Sequence, residues 1–280
     1  MAGQNPGSIG YSRLSEQNRP RGLAAALDAS AICGTWFNAD LGTPCLRSVV
    51  VTEAAGELQV DLVAAHGNPG DLPVCVGRGY IDNSGRPQFA ALTATGSTGA
   101  LDIRLEGNLN AGLLVLCCYT RHRDGSHPGC FSREYFTKAA SPWSGYEADK
   151  NLPADQQLFH GVDLPDVPGT GSLTGRWLNA DSGSDGLAEL SIGSGGDGLE
   201  VQVTARGEID WGQTTAPTYA DVVYGSVGGA AASAHFQFGF AECHLQLRAT
   251  KGVMVLASHT LFTPEQDRPP EFIREFFHKA

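Results

Sequence analysis

The stretch Cys33-Gly34-Thr35-Trp36-Phe37-Asn38-Ala39-Asp40 has a second copy in the same chain, Thr174-Gly175-Arg176-Trp177-Leu178-Asn179-Ala180-Asp181. Trp, Asn, Ala and Asp recur at one internal spacing, 141 positions further on. The far ends match too. Arg133-Glu134-Tyr135-Phe136-Thr137-Lys138 returns, at the same offset, as Arg274-Glu275-Phe276-Phe277-His278-Lys279. Between these anchors Leu58 and Val60 fall on Leu199 and Val201, while Gly112–Leu116 meets Gly252–Leu256 one residue out of step. Loops that gain or lose a residue between constant strands produce that slip. Matched ends with drifting loops indicate duplication of a whole folding unit.

Each unit reads as β. Residues 47–53, 57–65, 73–81, 100–107 and 113–121 are short Val- and Leu-rich runs with partial alternation, punctuated by Gly, Asn, Asp and Pro. Residues 186–192, 199–205, 220–227, 234–240, 243–249 and 253–262 repeat the pattern. Residues 53–57, 108–112, 193–198 and 248–252 have the composition of hairpin turns. This strand density predicts an all-β protein of two tandem antiparallel up-and-down β-barrels arranged as a pseudo-dimer. The expected divisions are a flexible arm over residues 1–31, unit 1 over 32–138, a linker over 139–172 and unit 2 over 173–280. Trp143, Leu158 and Phe159 are expected to seat the linker on a barrel surface.

Of the 280 residues, 30 are acidic and 19 are Lys or Arg, for a net charge of −11. That charge repels phosphate backbones and anionic headgroups, which argues against nucleic-acid or membrane partners. No apolar run reaches the length of a membrane-spanning helix, and the N-terminal residues lack a convincing signal peptide. The expected location is cytoplasmic, with room for a homodimer. The seven cysteines form no C-x-x-C pair. They read as free thiols, with a bridge from Cys45 to Cys75 or Cys130 left open for an exported protein.

Gly34-Thr35-Trp36 and Gly175-Arg176-Trp177, each followed by a basic residue near the last strand, resemble the calycin group of barrels, which includes lipocalins and avidins. The resemblance implies that the indole plugs the closed end and that Arg133 and Arg274 stack on it. Glu134 and Glu275 then fall at the surface. Residues 34–38 and 173–179 resemble the avidin opening more closely. In avidins the Asn two places after the Trp meets the ligand's polar head, which implies Asn38 and Asn179 as ligand contacts. Read from the residues alone, Asn and Asp can equally end the strand by bonding their own backbone. Asp210-Trp211-Gly212 with Tyr219 is similar to a stretch found in bacterial barrels of unassigned role, and adds Trp211 and Tyr219 to the ligand candidates.

Tyr119, Arg121 and Arg123 alternate onto one face of a hairpin arm, an array that can hold a carboxylate or polarise a carbonyl. His122 and His127 lack a third ligand at metal spacing, so no metal or other cofactor is expected. Residues 234–248 set His235, Gln237, His244, Gln246 and Arg248 opposite an apolar face, and the apolar face is expected to turn inward. No nucleophile elbow, phosphate loop or dinucleotide fingerprint is present. The expected function is binding of a small, largely apolar molecule. The alternative is a cofactor-independent cyclase or isomerase acting on a polyketide- or terpene-like substrate.

Overall fold

The computed structural model describes residues 27–82, 86–125, 127–138, 157–159, 162–163, 169–184, 186–196, 198–206, 209–223 and 226–280. Residues 1–26 of the expected arm and Trp143 of the linker lie outside these.

The first unit contributes β1 (Gly34–Asn38), β2 (Leu46–Ala54), β3 (Glu57–Ala64), β4 (Cys75–Tyr80), β5 (Ala91–Ser97), β6 (Leu101–Asn110), β7 (Leu113–His122) and β8 (Cys130–Thr137). Each pairs antiparallel with the next. β1 also pairs with β8, Asn38 opposite Phe136, and this closes an eight-stranded antiparallel barrel. Two hairpin turns have positive φ at both central residues, Ala55-Gly56 and Ala111-Gly112, as a tight type I′ connection requires. Alternation along the strands sends Val49, Val51, Leu58, Val60, Leu92, Leu105, Leu114, Leu116 and Phe136 into one contiguous buried cluster around Trp36. An eight-stranded barrel is just wide enough for such side chains to fill it.

Nine further strands follow: β9 (Gly175–Asn179), β10 (Leu187–Ser194), β11 (Leu199–Ala205), β12 (Ile209–Ala216), β13 (Thr218–Val223), β14 (Ser226–Gln237), β15 (Ala241–Thr250), β16 (Val253–Phe262) and β17 (Glu271–Lys279). β9 pairs with both β10 and β17, repeating what β1 does with β2 and β8. From β10 the ladder runs to β11 and β12, and from β17 back through β16, β15 and β14 to β13. Trp177, Leu190, Val201, Val203, Trp211, Phe236, Leu245, Leu247, Leu256 and Phe277 form its buried cluster. Phe236 is buried while His235 and Gln237 are exposed, so the apolar face of β14 does turn inward.

Two strands escaped the sequence reading. β5 (ALTATGS) has Leu92 as its one large apolar residue, and β12 (IDWGQTTA) carries Asp210, Gly212 and Gln213. β5 is paired with β4 and β6 and β12 with β11, and that pairing outweighs weak local propensity. Leu158 and Phe159 join the first unit's core, and the Phe159 N–H donates to Pro44 O at 2.6 Å, so this part of the linker is seated on the barrel as expected. All seven cysteines are free thiols, six of them buried. Burial pushes Cys75 and Cys117 up to about 12 and Cys130 to about 11, which keeps them protonated and unreactive. Among the described residues no helix is long and apolar enough to cross a membrane.

The two halves meet through the outer walls of β4–β8 and β13–β17. Phe131, Tyr119, Cys117, Tyr219 and Ala231 form one buried cluster. Phe272, Ala257, Tyr80 and Ala91 form a second. The clusters correspond: positions 117, 131 and 91 of the first half match 257, 272 and 231 of the second. Tyr119 meets Tyr219 edge-on at 4.9 Å and 69°, and His259 meets Tyr80 at 5.1 Å and 74°. Backbone pairing repeats as well, with Asp221 parallel to Phe131 and Ile81 parallel to Glu271.

Candidate functional site

The repeated motif sets a Trp in the buried cluster of each half. Trp36 Nε1 donates to Ile32 O and Trp177 Nε1 to Leu173 O, both at 2.8 Å. The cation over each indole is a lysine: Lys138 Nζ lies 4.7 Å from the Trp36 ring and Lys279 Nζ 5.4 Å from the Trp177 ring. The expectation that Arg133 and Arg274 stack there is therefore corrected. Side chains alternate along a strand, so Glu134, Phe136 and Lys138 share the inner side of β8 while Arg133 shares the outer. Arg133 instead covers Tyr135 at 5.2 Å, and Arg274 covers Phe276 at 5.3 Å. The motif glycine has a matching reason. Gly34 and Gly175 sit at φ +127° and +120°, and a Cβ on either would meet the lysine Cε at 3.4 and 3.0 Å.

The same alternation overturns the surface placement of the glutamates. Glu275 is buried and accepts from Asn179 Nδ2 (2.8 Å), Ser184 Oγ (2.6 Å) and Leu187 N (3.3 Å). Glu134 accepts from Thr43 Oγ1, from Leu46 N at 3.4 Å and from Ser132 Oγ at 3.4 Å. Each carboxylate ties the loop after the first strand to the last strand. Burial pushes the Glu134 carboxyl above its ordinary value, against the pull of those donors.

Asn38 and Asn179 belong to the same clamp. Asn38 Nδ2 donates to Leu46 O and its Oδ1 accepts from Asp40 N, both at 2.8 Å. Asn179 repeats this with Leu187 O and Asp181 N, at 2.7 and 2.9 Å. Asp40 and Asp181 then accept from Gly42 N and Gly183 N. These are two successive Asx-turns per unit. Asn38 borders a cavity of about 290 Å³ with Asp40, Pro44, Arg133, Tyr135 and Val222, but both ends of its amide are engaged in the loop.

Three other candidates converge. Tyr119 and Arg121 of β7 and Tyr219 of β13 line one cleft of about 460 Å³ with Thr95, Ser97, Asp102 and Arg104. Arg121 lies over the Tyr219 ring at 5.5 Å. Tyr119 borders the cleft but is almost wholly buried, and its buried hydroxyl has no partner at bonding geometry. Burial pushes that phenol well above its ordinary value, so it stays a donor. Arg104 is held by Glu106 at 2.7 Å, with the Glu106 side chain almost wholly buried. Trp211 stands apart in the core of the second half, edge-on to Phe236 and Phe238 at 5.7 and 5.1 Å.

Between the halves lies a smaller cavity of about 150 Å³, lined by Glu106, Arg133, Gln246, His259 and Arg274 among others. His259 is fully enclosed, and burial together with Arg104 pushes it down to about 3, which keeps it neutral. His122 and His127 meet edge-on at 4.9 Å. A grouping that sequence reasoning missed is His235, Glu242 and His244, whose ligating atoms all lie within 4.8 Å of one another. The signal was present in the outward alternation of residues 234–248, but only the hairpin register sets His235 opposite His244.

Searches of known protein families, of curated proteins and of solved structures found no match for this chain.

Proposed function

We propose that the protein is a small-molecule binder made of two calycin-like, avidin-like barrels joined as a pseudo-dimer, and that the ligand sits in the cleft of Tyr119, Arg121 and Tyr219. The second barrel is supported by β9 pairing on both sides as β1 does, and the pseudo-dimer by the matched aromatic contacts across the interface. The observation that carries the binding site is the convergence of Tyr119 and Arg121 with Tyr219, about a hundred positions apart, around one cleft. Its volume falls within the ~300–1,000 Å³ typical of ligand pockets. Arg121 supplies a cation for a carboxylate or similar anionic head, and the Tyr119 and Tyr219 rings supply apolar walls. The ligand class is a small molecule with an apolar or aromatic body and one anionic group. Nucleic acid and membrane surfaces fit poorly with a net charge of −11.

The cyclase alternative needs a buried acid or imidazole facing a cavity of substrate size. Glu106 and His259 border a space of about 150 Å³, too small for a polyketide or terpene, and Glu134, which borders the 290 Å³ cavity beside Asn38, is held by Thr43, Leu46 and Ser132. The binder is therefore the reading retained. Mass spectrometry under non-denaturing conditions tests it on the purified protein. A co-purifying small molecule that disappears in Arg121→Ala supports the assignment. A ligand retained by both Arg121→Ala and Tyr219→Ala would place binding elsewhere.

A further inference from the structure

We infer that His235, Glu242 and His244 form a solvent-facing site for a divalent transition metal of the zinc class. His235 lies near the end of β14, and Glu242 and His244 near the start of β15, across a tight hairpin. The register sets His235 opposite His244 and Gln237 opposite Glu242, so all three donors stand on the same face of the sheet, on the adjacent strands β14 and β15. The two imidazoles are stacked with centroids 4.3 Å apart and 5° between their planes. The three ligating atoms lie within 4.8 Å of one another.

Two ligands ~2.1 Å from a tetrahedral ion lie roughly 3.4 Å apart, so closure needs only small rotamer changes. His235 is exposed and Glu242 half-buried, which leaves both side chains free to adjust. Two imidazoles and one carboxylate make a donor set suited to zinc, with a fourth position open to water or a ligand. His244 Nδ1 has no hydrogen-bond partner. The cation acting on His244, Arg104, is itself held by Glu106 at 2.7 Å.

The first half serves as an internal comparison. There the positions of His235, Glu242 and His244 are held by Thr95, Asp102 and Arg104, and Thr95 pairs with Arg104 as His235 does with His244. An arginine cannot be a ligand. The duplicated surface has thus diverged, one copy lining the cationic cleft and the other presenting metal donors.

The full-length protein, stripped with chelator and freed of it, is titrated with zinc chloride by calorimetry and with cobalt chloride by visible absorption. The expected result is one ion per chain and a cobalt spectrum of nitrogen and oxygen ligation without a thiolate charge-transfer band. His235→Ala, Glu242→Gln and His244→Gln should each weaken zinc binding by roughly tenfold or more. The double variant His122→Ala/His127→Ala should bind as the wild type does. Absence of binding by the wild type overturns the inference. So does a thiolate band, or affinity unchanged in both His235→Ala and Glu242→Gln, two changes at accessible side chains that leave the fold intact.

Discussion

Lys138 Nζ lies 4.7 Å from the ring of Trp36, on the side where Gly34 leaves no Cβ in the way. The ammonium also donates to Ala31 O at 3.0 Å, so the residue after β8 is tied to those before β1. Trp36 is almost wholly buried, and Trp36→Ala should cost ~3–5 kcal/mol in urea unfolding. Lys138→Met should cost only ~0.5–1 kcal/mol, the worth of an exposed cation–π contact. Gly34→Ala should cost ~1–3 kcal/mol, because it places a side chain at φ +127°.

Asn38→Ala removes the donor to Leu46 O and the acceptor of Asp40 N at a fully buried position. A loss of ~1–3 kcal/mol in stability is expected, with ligand binding in the Tyr119 cleft unchanged. Differential melting with and without ligand checks both halves of that statement.

Glu134 carries a pH signature. Its folded-state value is raised by burial, so the unfolded chain gives up its proton first as pH rises above about 4.5. The stabilising contribution of the protonated group is full below that pH and falls as pH climbs toward the folded value. Urea unfolding across pH 4–7 should show this decline in the wild type and a flatter profile in Glu134→Gln.

Arg248 Nε meets Asp221 Oδ2 at 2.7 Å, with the Asp221 side chain 4% exposed. Asp221 lies on β13, which pairs with β8 of the first barrel, so the pair borders the contact between the halves. Removing one partner leaves a buried charge, and Arg248→Ala should cost ~3–5 kcal/mol. Arg248→Met with Asp221→Leu should recover most of that in the same unfolding assay.

Arg121→Ala and Tyr219→Ala should each weaken ligand binding by roughly tenfold or more, since each removes a contact of about 1.4 kcal/mol or greater. Stability should change little for Arg121, which is exposed, and more for Tyr219, which also packs on Tyr119. Equilibrium binding of the co-purified ligand measures the effect.

Much of the architecture was legible because it depends on local period and on repetition. The recurrence of Trp36 at Trp177 and of Lys138 at Lys279 marked the two units, and alternation predicted the inward turn of Phe236. The same alternation also held the answer that the family resemblance displaced: Lys138, not Arg133, shares a side with Phe136. Tyr119 and Arg121 were legible as a polar face, but their meeting with Tyr219 was not, because it depends on how two outer walls dock. His235 and His244 were both seen pointing outward, yet their pairing waits on the register of one hairpin. Local chemistry along the chain therefore determined most of the strands and the recurrence of the Trp and Lys anchors. Tertiary structure alone decided the cleft, the inter-unit contacts and the histidine pair, because each joins residues whose distance is set by strand register and docking, which local period does not encode.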